Sequence, residues 1–568
     1  MSKECDLIVK NAAVYSVKMN NEEIHAEAVA VKDGKIAFVG SNEAVMEFAG
    51  DGTEIIDAGG ASLLPGLGDG HIHVEAAYSK TLPTVNDIKP DPDDGPEELI
   101  AKYKARLKEY TDAHQDADFI MALGWDQGYF NGSLKGIVRI LSRKDLDEIC
   151  PDVPLIVSSY CGHAGWVNTK ALERAGWARP DFPDIPGGII YREPDGFPTG
   201  HLTEPAVIGQ FSIDGDYFFT DEMNLNALKD YQAKYGSNWG ITMTTDLKST
   251  GRGIDAVKKL AKSGSAKMRF SYTYSISPGN AGIDYQTALE RVKRDQVDDL
   301  VYVNTLKFFI EGEVCNETPY TDAWCEQNGK EKGYKGNLIW DPQEMYFYMN
   351  DGVKRGFNIH IHAMGSHSVL EAAKLCARCR KENPDSKAKY IIAHHMAVTD
   401  EALKIMSENG IIAQLQPYWM YNGYDTEVNY PNSSVEPEHG WFANKCYEDA
   451  GIIVAYGSDF PVTFPAQPLQ GIGCAMTRSV YEGVKDYDDY KGTSYHPEEA
   501  VTLKQALKAS TVAIAYQLGI DDITGTIEEG KSADFVLLTG NIEKTAPADI
   551  YGLNIAKTFF KGEEVYSI

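Results

Sequence analysis

Ala61-Ser62-Leu63-Leu64-Pro65-Gly66-Leu67-Gly68-Asp69-Gly70-His71-Ile72-His73 is the stretch whose reading decides the fold. An apolar run punctuated by Pro and Gly leads into a His-x-His pair. Side chains alternate between the two faces of an extended strand, so His71 and His73 point the same way. On such a strand the two imidazoles stand about 6 to 7 Å apart, close enough to share one divalent cation. A chance pair on a strand has the same spacing. The positions of the other histidines separate the two readings.

Downstream, short apolar strands alternate with amphipathic helices. Strands are predicted at 241–245, 268–274, 301–309, 358–362, 390–394, 411–416 and 452–457, with helices at 226–235, 254–261, 285–294 and 369–381 between them. Near-continuous apolar strands separated by helices signal a parallel sheet buried on both faces. With the strand entering His71 there are eight, which suggests a (β/α)8 TIM-like barrel.

Both ends of the chain read differently. Residues 7–10, 28–32 and 35–40 form short strands around an Asp33-Gly34 hairpin turn, and residues 525–566 are again all β. The expected class is therefore α/β. Residues 1–64 and 500–568 are expected to build a composite β-sandwich, and residues 65–75 and 236–499 the barrel. Residues 76–235 are too long for a βα connection and are read as an inserted cap domain, with a helix at 96–110.

At 568 residues the chain is too long for one small core. Its 43% hydrophobic and 24% charged residues are those of an ordinary globular protein. No run of about 18 apolar residues signals a membrane span. Met1-Ser2-Lys3-Glu4-Cys5-Asp6 lacks the zones of a signal peptide, so a cytoplasmic location is expected. The nine scattered cysteines read as reduced thiols, and Cys376-Ala377-Arg378-Cys379, with no second such pair, as structurally incidental. A net charge of −29 argues against nucleic acid and anionic membranes as partners. A small-molecule substrate is expected, with a homodimer as the default assembly.

Lys307, His362, His395 and Asp459 fall at or near the C-terminal ends of the proposed strands. In a barrel those ends converge on one mouth. Neutral imidazoles suit zinc, iron, nickel or copper, and a carboxylate completes a mixed N/O shell. His360 lies one step further from the strand end than His362 and is read as packed behind the site.

This order, His-x-His, Lys, His, His, Asp, resembles the amidohydrolase superfamily of metal-dependent hydrolases. Pro65 to His73 resembles its first-strand motif, and Gly457-Ser458-Asp459-Phe460-Pro461-Val462 its last-strand motif. The run from Gly525 to Leu538 is similar to its C-terminal sandwich element. Within the insertion, Gly124-Trp125-Asp126, Gly162-His163-Ala164, Asn168-Thr169-Lys170-Ala171-Leu172 and Gly196-Phe197-Pro198-Thr199-Gly200 resemble the third family of amidohydrolases. Lys307-Phe308-Phe309-Ile310-Glu311-Gly312 does so too.

The resemblance implies a ligand set of His71, His73, Lys307, His362, His395 and Asp459, holding one or two Zn2+ or another divalent metal. It implies Asp459 as proton shuttle and Lys307 as a carboxylysine formed with carbon dioxide. An ammonium beside a dication is repelled, so a ligand lysine must be modified or deprotonated. The alternative is a charged Lys307 paired with Glu311. His163 would hydrogen-bond the substrate or oxyanion, or else serve the structure.

Departures surround the mouth: His394 where relatives often carry Glu, Ser366-His367 after Gly365, and Tyr418-Trp419 after Gln416-Pro417. Tyr418, Trp419, Tyr421, Tyr424, Tyr430, Trp125, Tyr129, Phe130, Tyr160 and Trp166 suggest either an aromatic-lined pocket or cap-to-barrel packing. Trp125, Tyr418, Trp419 and Glu311 are the candidate substrate-binding residues. The expected function is metal-dependent hydrolysis of a non-peptide C–N bond by activated water. Ester, lactone or deaminating hydrolysis on the same site is the alternative, as is a non-catalytic regulatory protein retaining the fold.

Overall fold

Eight parallel strands form the central sheet: Leu67–Ile72, Ile241–Ser249, Arg269–Ser275, Val301–Phe309, Asn358–Ala363, Tyr390–His394, Ile412–Leu415 and Val454–Tyr456, each paired with its sequence neighbour. The computed structural model describes residues 4–74, 85, 88, 94–130, 139–159, 162–185, 188–204, 211, 220–249, 251–312, 319–321, 333–423, 425–430, 436–484 and 487–568. A parallel bridge between Ile72 and Phe460 closes the ring. There the Asp459 amide donates to the His71 carbonyl at 2.8 Å, and the His73 amide to the Phe460 carbonyl at 2.7 Å. These backbone hydrogen bonds hold last-strand and first-strand residues side by side.

The outer helices bury one stripe each. Gly251–Lys262 buries Ile254, Val257 and Leu260, spaced at three residues, and leaves Lys259 and Lys262 exposed. At the N-terminal ends of the strands, Ala513, Ile514 and Leu518 pack against Met243, Ile391, Ile412 and Ala455. They belong to the helix Val512–Leu518, which follows Leu503–Ser510. The stretch 500–568 therefore opens with two helices beneath the barrel before its strands begin. The C-terminal mouth is left for chemistry.

Both chain ends meet in a two-sheet sandwich. A six-stranded sheet runs Glu563–Ser567, Ile555–Phe560, Phe535–Leu538, Ser62–Pro65, Ala13–Val17, Glu23–Ala26; a four-stranded sheet runs Lys35–Gly40, Ala28–Lys32, Leu7–Lys10, Glu54–Asp57. Val9, Val29, Leu63, Phe535 and Phe559 share its core. Arg269, buried on the third barrel strand, pairs with Asp534 of the sandwich and with Asp299 at 3.1 Å. That fork ties the two units together.

The insertion contains more than the expected helix. Its five-stranded sheet runs Ile189–Arg192, Pro198–Thr203, Ala164–Val167, Leu155–Ser159, Ile120–Trp125. The helix Pro96–Ala113 buries Leu99, Tyr103 and Leu107 beside Trp125 and Leu155. Cys376 and Cys379 are buried in the helix Ser366–Glu382, where desolvation pushes both thiols up. Among the described residues no helix is long and apolar enough to cross a membrane.

Candidate metal centre

The closing seam builds the first part of the site. Asp69 accepts from the Ser458 amide at 2.8 Å and from the Ser458 hydroxyl, fixing the turn that presents Asp459. Burial pushes the Asp69 carboxyl up to about 7, against the pull of those bonds. Asp459 sits at φ 59°. Its Oδ1 lies 3.3 Å from His71 Nε2 and 3.0 Å from His73 Nε2. The ligand atoms of these three residues all lie within 4.8 Å of one another. Of the residues expected at the centre, these three come together as anticipated.

The middle strands supply the far wall. Lys307 is fully buried, and its Nζ has no hydrogen-bond partner among the described residues. Desolvation pushes its ammonium down to about 7, with Asp459 pulling the other way. It stands 4.7 Å above the Phe309 ring and forms no ion pair with Glu311. On the fifth strand His360 and His362 share one face, with Lys307 in register with His360. His360 is not behind the site. Its ring is 5.5 Å from that of His71, and its buried Nε2 lacks a partner among the described residues.

The sixth strand differs from expectation. The structure brings His394 to the centre, with ring centroids 4.6 Å from His71 and 4.5 Å from His362. His395 turns outward, donating from Nε2 to the Ile392 carbonyl at 2.8 Å and packing on Tyr447. Ile391 and Ala393 face inward in register with His360 and His362. Strict alternation would make His395 the next inward residue. His394 and His395 instead have φ of 82° and 51°, and that local kink reverses the alternation.

The cap contributes His163. Its ring lies 5.7 Å from His362, and its Nδ1 lies 3.2 Å from Glu204 Oε2. The Glu204 amide donates to the His163 carbonyl at 2.8 Å, so side chain and backbone hold the pair together. Nothing in the sequence reading singled out Glu204. The strand pairing of Ala164 with Thr203 creates this contact across 41 residues.

Three of the four expected substrate residues have structural duties. Glu311 accepts from the amides of Met364, Gly365 and Tyr320 and from the Ser368 hydroxyl. Trp125 is buried in the cap core and donates to the Val157 carbonyl. Tyr418 donates to the Ala466 carbonyl at 3.1 Å and is buried. Trp419 alone reaches the centre. It stacks on His394 at 5.7 Å and 14°, anchored by Nε1 on Thr463. Phe130 and Trp166 lie in the cap core with Tyr129 packed against it, while Tyr421 and Tyr430 pack against the barrel core. Tyr160 and Tyr424 lie outside the described residues.

The centre fits a cation. Burial first, then Lys307 and the other imidazoles, push His71 well below its ordinary range, so its ring is neutral. Its Nδ1 lies 2.7 Å from Gln414 Oε1, an atom that only accepts, so the single ring proton is assigned to Nδ1. Nε2 then aims a lone pair at a carboxylate oxygen. Two acceptors facing each other at 3.3 Å call for a positive charge between them.

A parallel eight-stranded barrel with this imidazole and carboxylate cluster at its mouth defines a metal-dependent hydrolase. The amidohydrolase family model matches residues 54–566, and the chain belongs to that family. It is 26% identical over 558 residues to YtcJ of Bacillus subtilis (strain 168), covering 96% of this chain and 97% of that protein. It is 25% identical over 577 residues to N-substituted formamide deformylase of Arthrobacter pascens, covering 99% and 98%. Among solved structures, an uncharacterized metal-dependent hydrolase from Pyrococcus horikoshii OT3 shares the fold, with a TM-score of 0.70, 18% identity, and coverage of 99% and 100%. The family and barrel expected from the sequence are thereby confirmed.

Proposed function

We propose that the protein hydrolyses a non-peptide C–N bond in a small amide or cyclic amide, using zinc held by His71, His73 and Asp459. The observation that carries this reading is the meeting of two imidazole Nε2 atoms with one Asp459 oxygen, at 3.3 and 3.0 Å, in the barrel mouth. Zinc bound there supplies Lewis acidity, which acidifies water and polarises a carbonyl. Asp459 accepts the water proton and delivers it to the leaving nitrogen. His163, steadied by Glu204, offers a hydrogen bond toward the carbonyl oxygen as negative charge develops there. Trp419 forms an aromatic wall suited to an apolar or ring-bearing substrate.

Lys307 supports a second ligand set with His362 and His394. Near neutral pH a large fraction of its amine is uncharged. Such an amine adds to carbon dioxide through nitrogen and loses one proton, giving a carbamate anion. That replaces a repelled cation with an oxygen ligand.

The test is a hydrolysis screen of zinc-loaded protein on N-acyl amines, formamides, hydantoins and esters. We expect C–N cleavage that His73→Ala abolishes together with zinc binding. Activity surviving that substitution, or activity on esters alone, would overturn the proposal.

A further inference from the structure

We infer that Gln414 and Gln416 are positioning residues that set the tautomers of His71 and His394, and through them the metal affinity of the centre. This rests on the metal-hydrolase reading but not on any substrate. The two glutamines come from the seventh barrel strand and its end, two residues apart, so both face inward. Both are fully buried.

Three contacts link four side chains from three strands. His71 Nδ1 lies 2.7 Å from Gln414 Oε1. Gln416 Nε2 lies 3.0 Å from the same oxygen. His394 Nδ1 lies 3.1 Å from Gln416 Oε1. Turning the Gln414 amide over alone would oppose its NH2 to that of Gln416. Turning Gln416 over alone would set its oxygen against the Gln414 oxygen. Two assignments satisfy all three, the one given and the one with both amides turned over, and the Leu415 carbonyl, 3.4 Å from Gln414 Nε2, selects the first because a carbonyl only accepts. With both amides fixed, each histidine must carry its proton on Nδ1. Both Nε2 lone pairs are then directed away from the seventh strand, toward the cluster.

A second observation points the same way. A Cβ on Gly457 would lie 2.3 Å from Gln414 Nε2 and 2.5 Å from His71 Cβ. The last strand therefore leaves room for this relay at the point where it crosses His71. His395, which the relay does not reach, carries the opposite tautomer, with its proton on Nε2. Outer partners that fix a ligating histidine ordinarily change metal affinity by roughly 10- to 100-fold when removed. A neutral amide fixes the ring without adding negative charge beside the ion, so the ion's Lewis acidity is preserved.

The test compares Gln416→Met with Gln416→Glu in the full chain. Met keeps the shape and loses both hydrogen bonds. A carboxyl buried there holds a proton and can reproduce both. Zinc affinity is read by competition with a chromophoric chelator. We expect Gln416→Met to weaken zinc roughly 10- to 100-fold and Gln416→Glu to remain near the parent value. The reverse order, with Met tolerated and Glu damaging, would show a packing role and overturn the inference. If Gln416→Met fails to fold, nitrogen-15 NMR of the metal-free parent decides. We expect protonated Nδ1 on both His71 and His394, and protonated Nε2 on either refutes the relay. Normal zinc binding by the parent protein with no hydrolysis, alongside the expected order of the two variants, would sink the proposed reaction and leave this inference standing.

Discussion

Glu311 offers the sharpest test of how this molecule uses its charges. Its carboxylate is buried and receives three backbone N–H groups and one hydroxyl at the start of the helix Ser366–Glu382. Replacing it with Ala strands the amides of Met364, Gly365 and Tyr320. A buried donor left without a partner costs about 1–3 kcal/mol. Removing a buried charge offsets part of that, so the net loss is expected near 3 kcal/mol. Glu311→Gln keeps one oxygen, and the Ser368 hydroxyl can turn to accept from the new NH2. Its loss should be about half as large. Hydrogen exchange at residues 364–368 is the appropriate assay, because it reports local opening rather than unfolding of the whole chain. Protection should fall about 100-fold in Glu311→Ala, taking 1.4 kcal/mol per decade.

The same residue predicts a pH dependence. Burial raises its carboxyl from 4.5 to about 7. The folded state therefore holds a proton between those values that the unfolded chain has released. The associated stability, about 3 kcal/mol, is fully present below pH 4.5 and lost as pH rises through 7. Glu311→Gln should flatten that slope. Unchanged protection in Glu311→Ala, or a raised KM with normal protection, would refute the structural assignment and return Glu311 to the substrate site.

Three further outcomes are expected. His394→Ala should lose zinc by elemental analysis, whereas His395→Ala should retain it and lose only about 1–3 kcal/mol of stability from its broken bond to Ile392. With carbon-13-labelled bicarbonate and dissolved carbon dioxide held constant, a carbamate resonance on Lys307 should grow as pH rises through about 7, because the ammonium form cannot react, and Lys307→Arg should abolish it. Arg269→Met should lower the urea midpoint by the equivalent of about 3–5 kcal/mol, since it leaves Asp534 buried without its partner, and the double change Arg269→Met with Asp534→Leu should recover much of the loss.

His71, His73 and Asp459 were legible in the sequence because strand alternation and barrel topology determine where they point. The same alternation pointed to His395 where the structure brings His394 to the cluster, because two positive φ angles at these residues interrupt it. The internal contacts of Glu311 and Trp125 are hidden from the sequence for a different reason. Their partners, Met364 and Val157, lie 53 and 32 residues away, and residue type alone gives no sign of them. His360 was set aside on strand position, although it shares a face with His362. The glutamine relay and the His163–Glu204 pair left no trace in the sequence reading, because hydrogen bonds between strands carry no periodicity. The cap sheet was likewise missed, since its short strands lie among turn residues.

The sandwich has a consequence for biosynthesis. Ser62–Pro65 is flanked in its sheet by Ala13–Val17 on one side and Phe535–Leu538 on the other. A ribosome releases the second neighbour some 470 residues after Ser62–Pro65 itself, so the apolar edge around Leu63 and Leu64 waits through most of translation. An exposed, unpaired strand edge invites association with other chains. Nascent chains truncated before residue 535 should therefore be the species most prone to aggregate and most dependent on chaperones.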